Sequence, residues 1–228
     1  MAATGDRQGA RRRKQRRSVA MADTSGPRLE FWYDFASTYS YLSAVRIEAL
    51  AAKAGVSVLW KPFLLGPIFH AQGWNTSPFN IYPAKGKYMI RDMQRLAAAR
   101  GLPFTPPSPF PQNSLHAARL ALIGHAEGWG VRFTHAVYAA EFGGGPDSAD
   151  IGDKAALMAI LRRLDLDAEA IMARAEASEN KERLRLQTEM AQELGIFGAP
   201  SFLAGEELYW GDDRLEQAVA AARDIHNR

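Results

Sequence analysis

Leu29-Glu30-Phe31-Trp32-Tyr33-Asp34-Phe35-Ala36-Ser37-Thr38-Tyr39-Ser40-Tyr41-Leu42 reads as an aromatic-rich buried strand running straight into a helix, with Ser37 at the junction. Far downstream, Gly195-Ile196-Phe197-Gly198-Ala199-Pro200-Ser201-Phe202-Leu203 reads as a helix end, a loop and a strand begun by proline. After the first junction an alanine-rich helix from Tyr39 to Ala54 is closed by Gly55, a residue that takes left-handed backbone without steric cost. Val56 to Phe63 then reads as a second strand. From about Gly66 to about Ser178 the strand signal stops. Apolar residues at three- and four-residue spacing predict helices over 85–100, 114–128, 132–142, 153–164 and 167–175, and the proline-rich stretch Pro103 to Pro111 is a connection. A helix from about Lys181 to Leu194, strands near Ser201–Leu203 and Glu207–Trp210, and a helix from Arg214 to His226 complete the chain. The order is βαβ, a helical block, then αββα, which makes the fold class α/β.

Composition narrows the chemistry. At 228 residues and 47% hydrophobic, the chain can bury a sizeable core. No run approaches the roughly eighteen apolar residues of a membrane helix, and no apolar stretch follows the basic N-terminus as a secretory signal requires, so a cytoplasmic location is expected. The chain has no cysteine, which excludes disulfides, thiolate metal sites and redox cycling on its own thiols. Thiol chemistry here needs a borrowed thiol. The net charge of +3 is concentrated at one end: residues 1–20 carry seven bases (Arg7, Arg11, Arg12, Arg13, Lys14, Arg16, Arg17) and one acid, Asp6, leaving −3 for the rest. Such a run can bind nucleic acid or serve as an address, but its plain polarity favours a disordered tail with Met21 as the natural start. Residues 1–26 are therefore set outside the fold.

Several blocks in order carry a resemblance: Asp34-Phe35-Ala36-Ser37-Thr38-Tyr39-Ser40-Tyr41-Leu42, Pro62-Phe63-Leu64-Leu65-Gly66, Pro83-Ala84-Lys85-Gly86-Lys87-Tyr88, Asn113-Ser114-Leu115, Gly198-Ala199-Pro200 and Trp210-Gly211-Asp212-Asp213-Arg214. Together they resemble the 2-hydroxychromene-2-carboxylate isomerase family, which is close to the kappa-class glutathione transferases and to the DsbA-type thioredoxin folds. The resemblance runs from residue 28 to 225. It implies a thioredoxin-like domain formed by 27–65 and 179–228 with an all-helical insertion over 66–178, a glutathione cofactor, an aromatic-derived small-molecule substrate and a homodimer.

Read from chemistry, Ser37 precedes a helix, so its hydroxyl lies beside unpaired N–H groups and the positive end of the helix dipole. A thiolate there is stabilised relative to a free thiol, which titrates near pH ~8.5; a plain N-cap serine explains the same residue. The resemblance implies the catalytic role, with Ser37 donating a hydrogen bond to glutathione's sulfur. Relatives usually carry proline next, where this chain has Thr38. The resemblance further implies a cis bond at Ala199-Pro200 that turns the backbone of Ala199 toward glutathione, although X-Pro bonds are mostly trans. It assigns Asp213, with Asp212 contributing, to the γ-glutamyl end of glutathione. A carboxylate at this turn is also expected to cap the last helix. Asn75 and Lys85 are carried over as ligand-facing residues, Lys85 being equally readable as solvated on its helix. Tyr39 and Tyr41 flank the site, where either a pocket wall or helix packing accounts for them. The five histidines show no metal-ligand spacing, so no metal is expected.

The function implied is a glutathione-dependent cis-trans isomerisation of an aromatic-derived unsaturated keto acid, 2-hydroxychromene-2-carboxylate to trans-o-hydroxybenzylidenepyruvate, as in naphthalene-type degradation. A thiolate adds to the conjugated alkene, the resulting single bond rotates, and elimination returns the thiol. A kappa-type glutathione transferase and a non-catalytic thioredoxin-fold binding module are the alternatives.

Overall fold

A computed structural model of the chain describes residues 26–226. The basic tail, and with it the nucleic-acid reading, lies outside the described residues.

Strand β1 (Arg28–Tyr33) leads through the Ser37 junction into helix α1 (Thr38–Ala54), and β2 (Ser57–Pro62) returns parallel to β1. Eight helices follow: α2 (Leu65–Ala71), α3 (Pro78–Ile81), α4 (Pro83–Ala99), α5 (Leu115–Glu127), α6 (Gly130–Phe142), α7 (Lys154–Arg163), α8 (Ala168–Ala175) and α9 (Ser178–Glu193). The hairpin β3 (Ser201–Ala204) and β4 (Glu207–Trp210), a 3₁₀ turn over Asp212–Arg214 and α10 (Leu215–His226) close the chain. The sheet order is β2-β1-β3-β4, with β3 antiparallel to both β1 and β4. This is a thioredoxin-like sheet with a helical insertion.

The expected boundaries hold within a few residues, and each departure has a local cause. β1 stops at Tyr33, short of the Ser37 junction, because Asp34 turns its carboxylate to the N–H groups of Ala36 (2.9 Å) and Leu65 (2.7 Å). The short helices α2 and α3 fall in a segment with no helical period. Gly66 and Pro67 occupy the first turn of α2, where proline is tolerated, while Ser77 caps α3 and Pro78 opens it. Gly55 closes α1 at φ 68°, as its position demands.

Successive side chains of β1 face opposite sides of the sheet. Phe31 and Tyr33 join Phe202 of β3, helices α1 and α10 and the helical block in one continuous buried cluster. Trp32 faces the other way, onto Leu203, Phe63, Ile68 of α2 and Ala191 of α9. Burying each such large apolar side chain contributes roughly 1.5–3 kcal/mol. A strand clamped on both faces therefore holds the Asp34–Ser37 junction at the end of β1.

Candidate active site

Ser37 sits at the N-terminus of α1 with extended backbone (φ −95°, ψ 114°), and its Oγ accepts from the N–H of Ser40 at 3.2 Å. The same hydroxyl donates to the carbonyl of Ala199 at 2.9 Å, spanning 162 positions of sequence. The Ala199-Pro200 bond is cis. With the N–H of Ser37 bonded to Asp34 and that of Ser40 to Ser37 Oγ, the N–H groups of Thr38 and Tyr39 remain without helical partners at the positive end of the helix. One hydroxyl thus joins an electropositive helix start to the loop before the proline.

Beneath it lies Asp34, almost fully buried. Burial pushes its carboxyl up, opposed by the N–H groups of Leu65 and Ala36 and the hydroxyl of Ser114. Its main-chain carbonyl accepts from Ser37 N (3.0 Å) and from Tyr138 Oη (3.1 Å). Asp34 ties the β1–α1 junction to the start of α2 and so fixes where Ser37 stands.

The junction opens into a cavity of about 860 Å³. Ser37, Ala199, Asn75 and Lys85 all line it, with a mainly apolar wall drawn from Leu65, Phe69, Trp74, Phe79, Met89 and Phe110. Lys85, on the first turn of α4, holds its ammonium 5.6 Å from the centre of the Tyr82 ring. Phe197 and Trp210 stand at the mouth with ring centres 4.9 Å apart, each about half exposed. Gly198 lets the loop and the indole approach closely, since a Cβ there would lie 2.5 Å from Trp210 Nε1.

A second cavity, of about 450 Å³, adjoins the first and shares Tyr39, Ala199 and Trp210 with it. Pro200, Asp212 and Asp213 line this one, together with Asp92, Leu96 and Arg100 of the α4 segment. The seven residues to which the resemblance gave a role toward glutathione therefore border one or both cavities. Asp212 does not cap the last helix. Its carboxylate is buried, accepting from Ser43 Oγ (2.9 Å) and Arg100 Nη2 (2.6 Å), with Arg46 at 3.5 Å. Asp213 is largely exposed and pairs with Arg214 at 3.4 Å.

The two tyrosines part company. Tyr39 lines both cavities and donates to Asp92 Oδ2 at 2.8 Å; burial raises its phenol, and the Asp92 bond adds to the rise. Tyr41 is core, packed on Tyr138 and Phe142 with its hydroxyl on the Pro103 carbonyl. His125 is a core residue too, stacked on Trp60 and bonded to Tyr33 Oη at 2.8 Å, and burial lowers it to about 4. Sequence reasoning assigned no role to Asp34, Asp92 or Arg100. An acid following three aromatics was a usable signal for Asp34; Asp92 and Arg100 read as solvated positions on an amphipathic helix.

Residues 28–222 match the model of the DSBA-like thioredoxin domain. A 2-hydroxychromene-2-carboxylate isomerase of Sphingobium xenophagum is 30% identical over 190 residues, covering 82% of this chain and 94% of the relative. The chain belongs to the 2-hydroxychromene-2-carboxylate isomerase family within the DSBA-like thioredoxin domains. A solved isomerase of that name superposes with a TM-score of 0.76 at 27% identity, over 87% of this chain and 95% of the other. A glutathione S-transferase kappa 1 of Caenorhabditis elegans is 33% identical over 85 residues, 37% of each chain. Membership of this isomerase family makes the chain an enzyme and sets aside the non-catalytic binding module. Among the described residues no helix is long and apolar enough to cross a membrane.

Proposed function

We propose that the protein is a glutathione-dependent cis-trans isomerase that interconverts 2-hydroxychromene-2-carboxylate and trans-o-hydroxybenzylidenepyruvate. The observation that carries the reading is the Ser37–Ala199 contact: in a chain without cysteine, a helix N-terminus and the carbonyl preceding Pro200 converge on one hydroxyl at the edge of an apolar cavity. Glutathione fits the residues present, since Ala199 offers backbone at the boundary of two adjoining cavities and the smaller one carries charged side chains. When bound, glutathione supplies the thiolate that adds reversibly to the conjugated alkene and so makes the bond rotatable.

Each protein group has a separable task. Ser37 rotates its hydroxyl from the Ala199 carbonyl toward the sulfur, while the N–H groups of Thr38 and Tyr39 favour negative charge at that spot. The released Ala199 carbonyl then pairs with ligand backbone as an added strand would. Lys85 receives the substrate carboxylate, Asn75 hydrogen-bonds at the same rim, and the wall of Phe69, Phe79, Met89 and Phe110 receives the aromatic ring. Asp213 takes the γ-glutamyl ammonium, and Asp212 holds the turn that presents it. A homodimer in the cytoplasm is part of the same reading.

The test is the absorbance change on mixing the protein with 2-hydroxychromene-2-carboxylate, with and without glutathione. Rapid approach to the isomer equilibrium only with glutathione, and without its net consumption, is the expected result. Stoichiometric loss of thiol indicates transferase chemistry of the kind named for the kappa relative. No acceleration in either arm refutes this substrate.

A further inference from the structure

The second cavity asks for a cation. Four charged residues line it, the acids Asp92, Asp212 and Asp213 and the base Arg100. Arg100 pairs with Asp212 through Nη2, while its buried Nη1 has no hydrogen-bond partner among the described residues; the Asp212 oxygens are also engaged by Ser43 and Arg46, and Arg46 in turn pairs with Glu216. Two carboxylates are left, Asp92 and Asp213, the latter with Arg214 beside it at 3.4 Å. Asp213 is largely exposed, so water screens it. Asp92 is half-buried on α4, and its Oδ2 is fixed by the Tyr39 hydroxyl at 2.8 Å. Among the described residues nothing engages its Oδ1.

The route into this cavity is set by the three residues it shares with the larger one. A ligand with its thiol at Ser37 that continues along Ala199, which borders both cavities, would reach the one that Asp92 lines. The group it carries there meets a net negative wall in partly desolvated surroundings, where a charge pair is worth more than at the surface. A primary ammonium suits that wall, having three donors for carboxylates that approach from two sides.

We propose that Asp92 is a specificity-determining residue that reads the α-ammonium of the thiol cofactor from the helical block, opposite the Asp213 turn. The proposal rests on the glutathione reading above. It makes the helical insertion part of cofactor recognition: the carboxylate that holds the ammonium also holds Tyr39, two positions after Ser37, so head-group binding and the wall beside the thiol are set by one side chain.

Asp92→Asn tests this, because the amide oxygen still accepts from Tyr39 while the charge is gone. Calorimetric titration with glutathione should show affinity falling about tenfold to a hundredfold, the range of a hydrogen-bonded charge partner. The control ligand is des-amino glutathione, which lacks only the ammonium. The wild type should bind it weakly, and Asp92→Asn should bind it as the wild type does. Asp213→Asn should weaken glutathione binding less than Asp92→Asn. Thermal unfolding of each variant checks that the fold is kept. Equal losses for both thiols in Asp92→Asn, or no loss for either while the wild type binds glutathione, overturns the role of Asp92 and leaves the glutathione reading standing. A wild type that binds neither thiol overturns both.

Discussion

Replacing Ser37 with alanine separates the two roles that its hydroxyl combines. In the protein alone, Oγ caps α1 through Ser40 N–H at 3.2 Å and bridges to the Ala199 carbonyl at 2.9 Å. Loss of an N-cap costs ~1 kcal/mol and loss of one further neutral hydrogen bond about the same, together ~2 kcal/mol. For a chain of this size that lowers Tm by roughly 4–8 °C. The catalytic effect is separate. A hydrogen bond to a charged acceptor contributes ~1.5–3 kcal/mol, so the bound thiol should titrate about one to two pH units higher in Ser37→Ala than in the wild type. Below that pKa the thiolate fraction, and with it the rate, falls roughly tenfold to a hundredfold; above it the variant recovers, shifting the whole pH–rate profile to the alkaline side. Ultraviolet absorbance of bound thiolate against pH gives the shift directly, and Ser37→Thr, which keeps a hydroxyl, should restore most of it. A Ser37→Ala protein that loses stability yet keeps the same thiol titration and rate would mean that Ser37 is a helix cap and nothing more.

Glu141 on α6 is fully buried, and among the described residues neither carboxylate oxygen has a hydrogen-bond partner; burial first, then the charges of Asp34 and Asp150, hold its pKa well above the usual carboxylate range. An acid that keeps its proton when folded and releases it when unfolded contributes stability below the unfolded pKa, ~4.3, and loses it as pH rises, at a limiting ~1.4 kcal/mol per pH unit. Glu141→Gln should therefore gain on the wild type with rising pH in urea unfolding at pH 5, 6 and 7, whereas a margin independent of pH would mean that Glu141 titrates normally. Gly198→Ala would place a Cβ 2.5 Å from Trp210 Nε1 and drive the indole off the wall between the two cavities. Because Trp210 is half exposed and can yield outward, stability should change by less than ~1 kcal/mol while KM for glutathione rises severalfold; an unchanged KM would remove Trp210 from the ligand path.

What could be read in the sequence, and what could not, divides along one physical line. The Ser37 junction and the Gly198-Ala199-Pro200 loop are 162 positions apart, yet each announces itself locally, one as a strand turning into a helix at a capping residue and the other as an X-Pro step between a helix end and a strand. Their meeting follows from placing β1 next to β3. The seven-residue α2 and four-residue α3 were missed because helices that short repeat no period, and α2 is held from outside by the carboxylate of Asp34 on Leu65 N–H. The charged residues were least legible. Asp92 on α4 and Arg100 at its C-cap lie eight positions apart and read as ordinary polar positions of an amphipathic helix. They acquire meaning only because α4 lies across the Asp212 turn, 112 positions downstream of Arg100. Asp212 and Asp213 show the same limit from the other side. As neighbours in one turn they looked like partners in a single task, but one is buried under two arginines and the other is open to solvent, a difference set by which way the 3₁₀ turn faces. A backbone device is written in the residues that build it; the work of a charge is written in whatever the fold brings opposite.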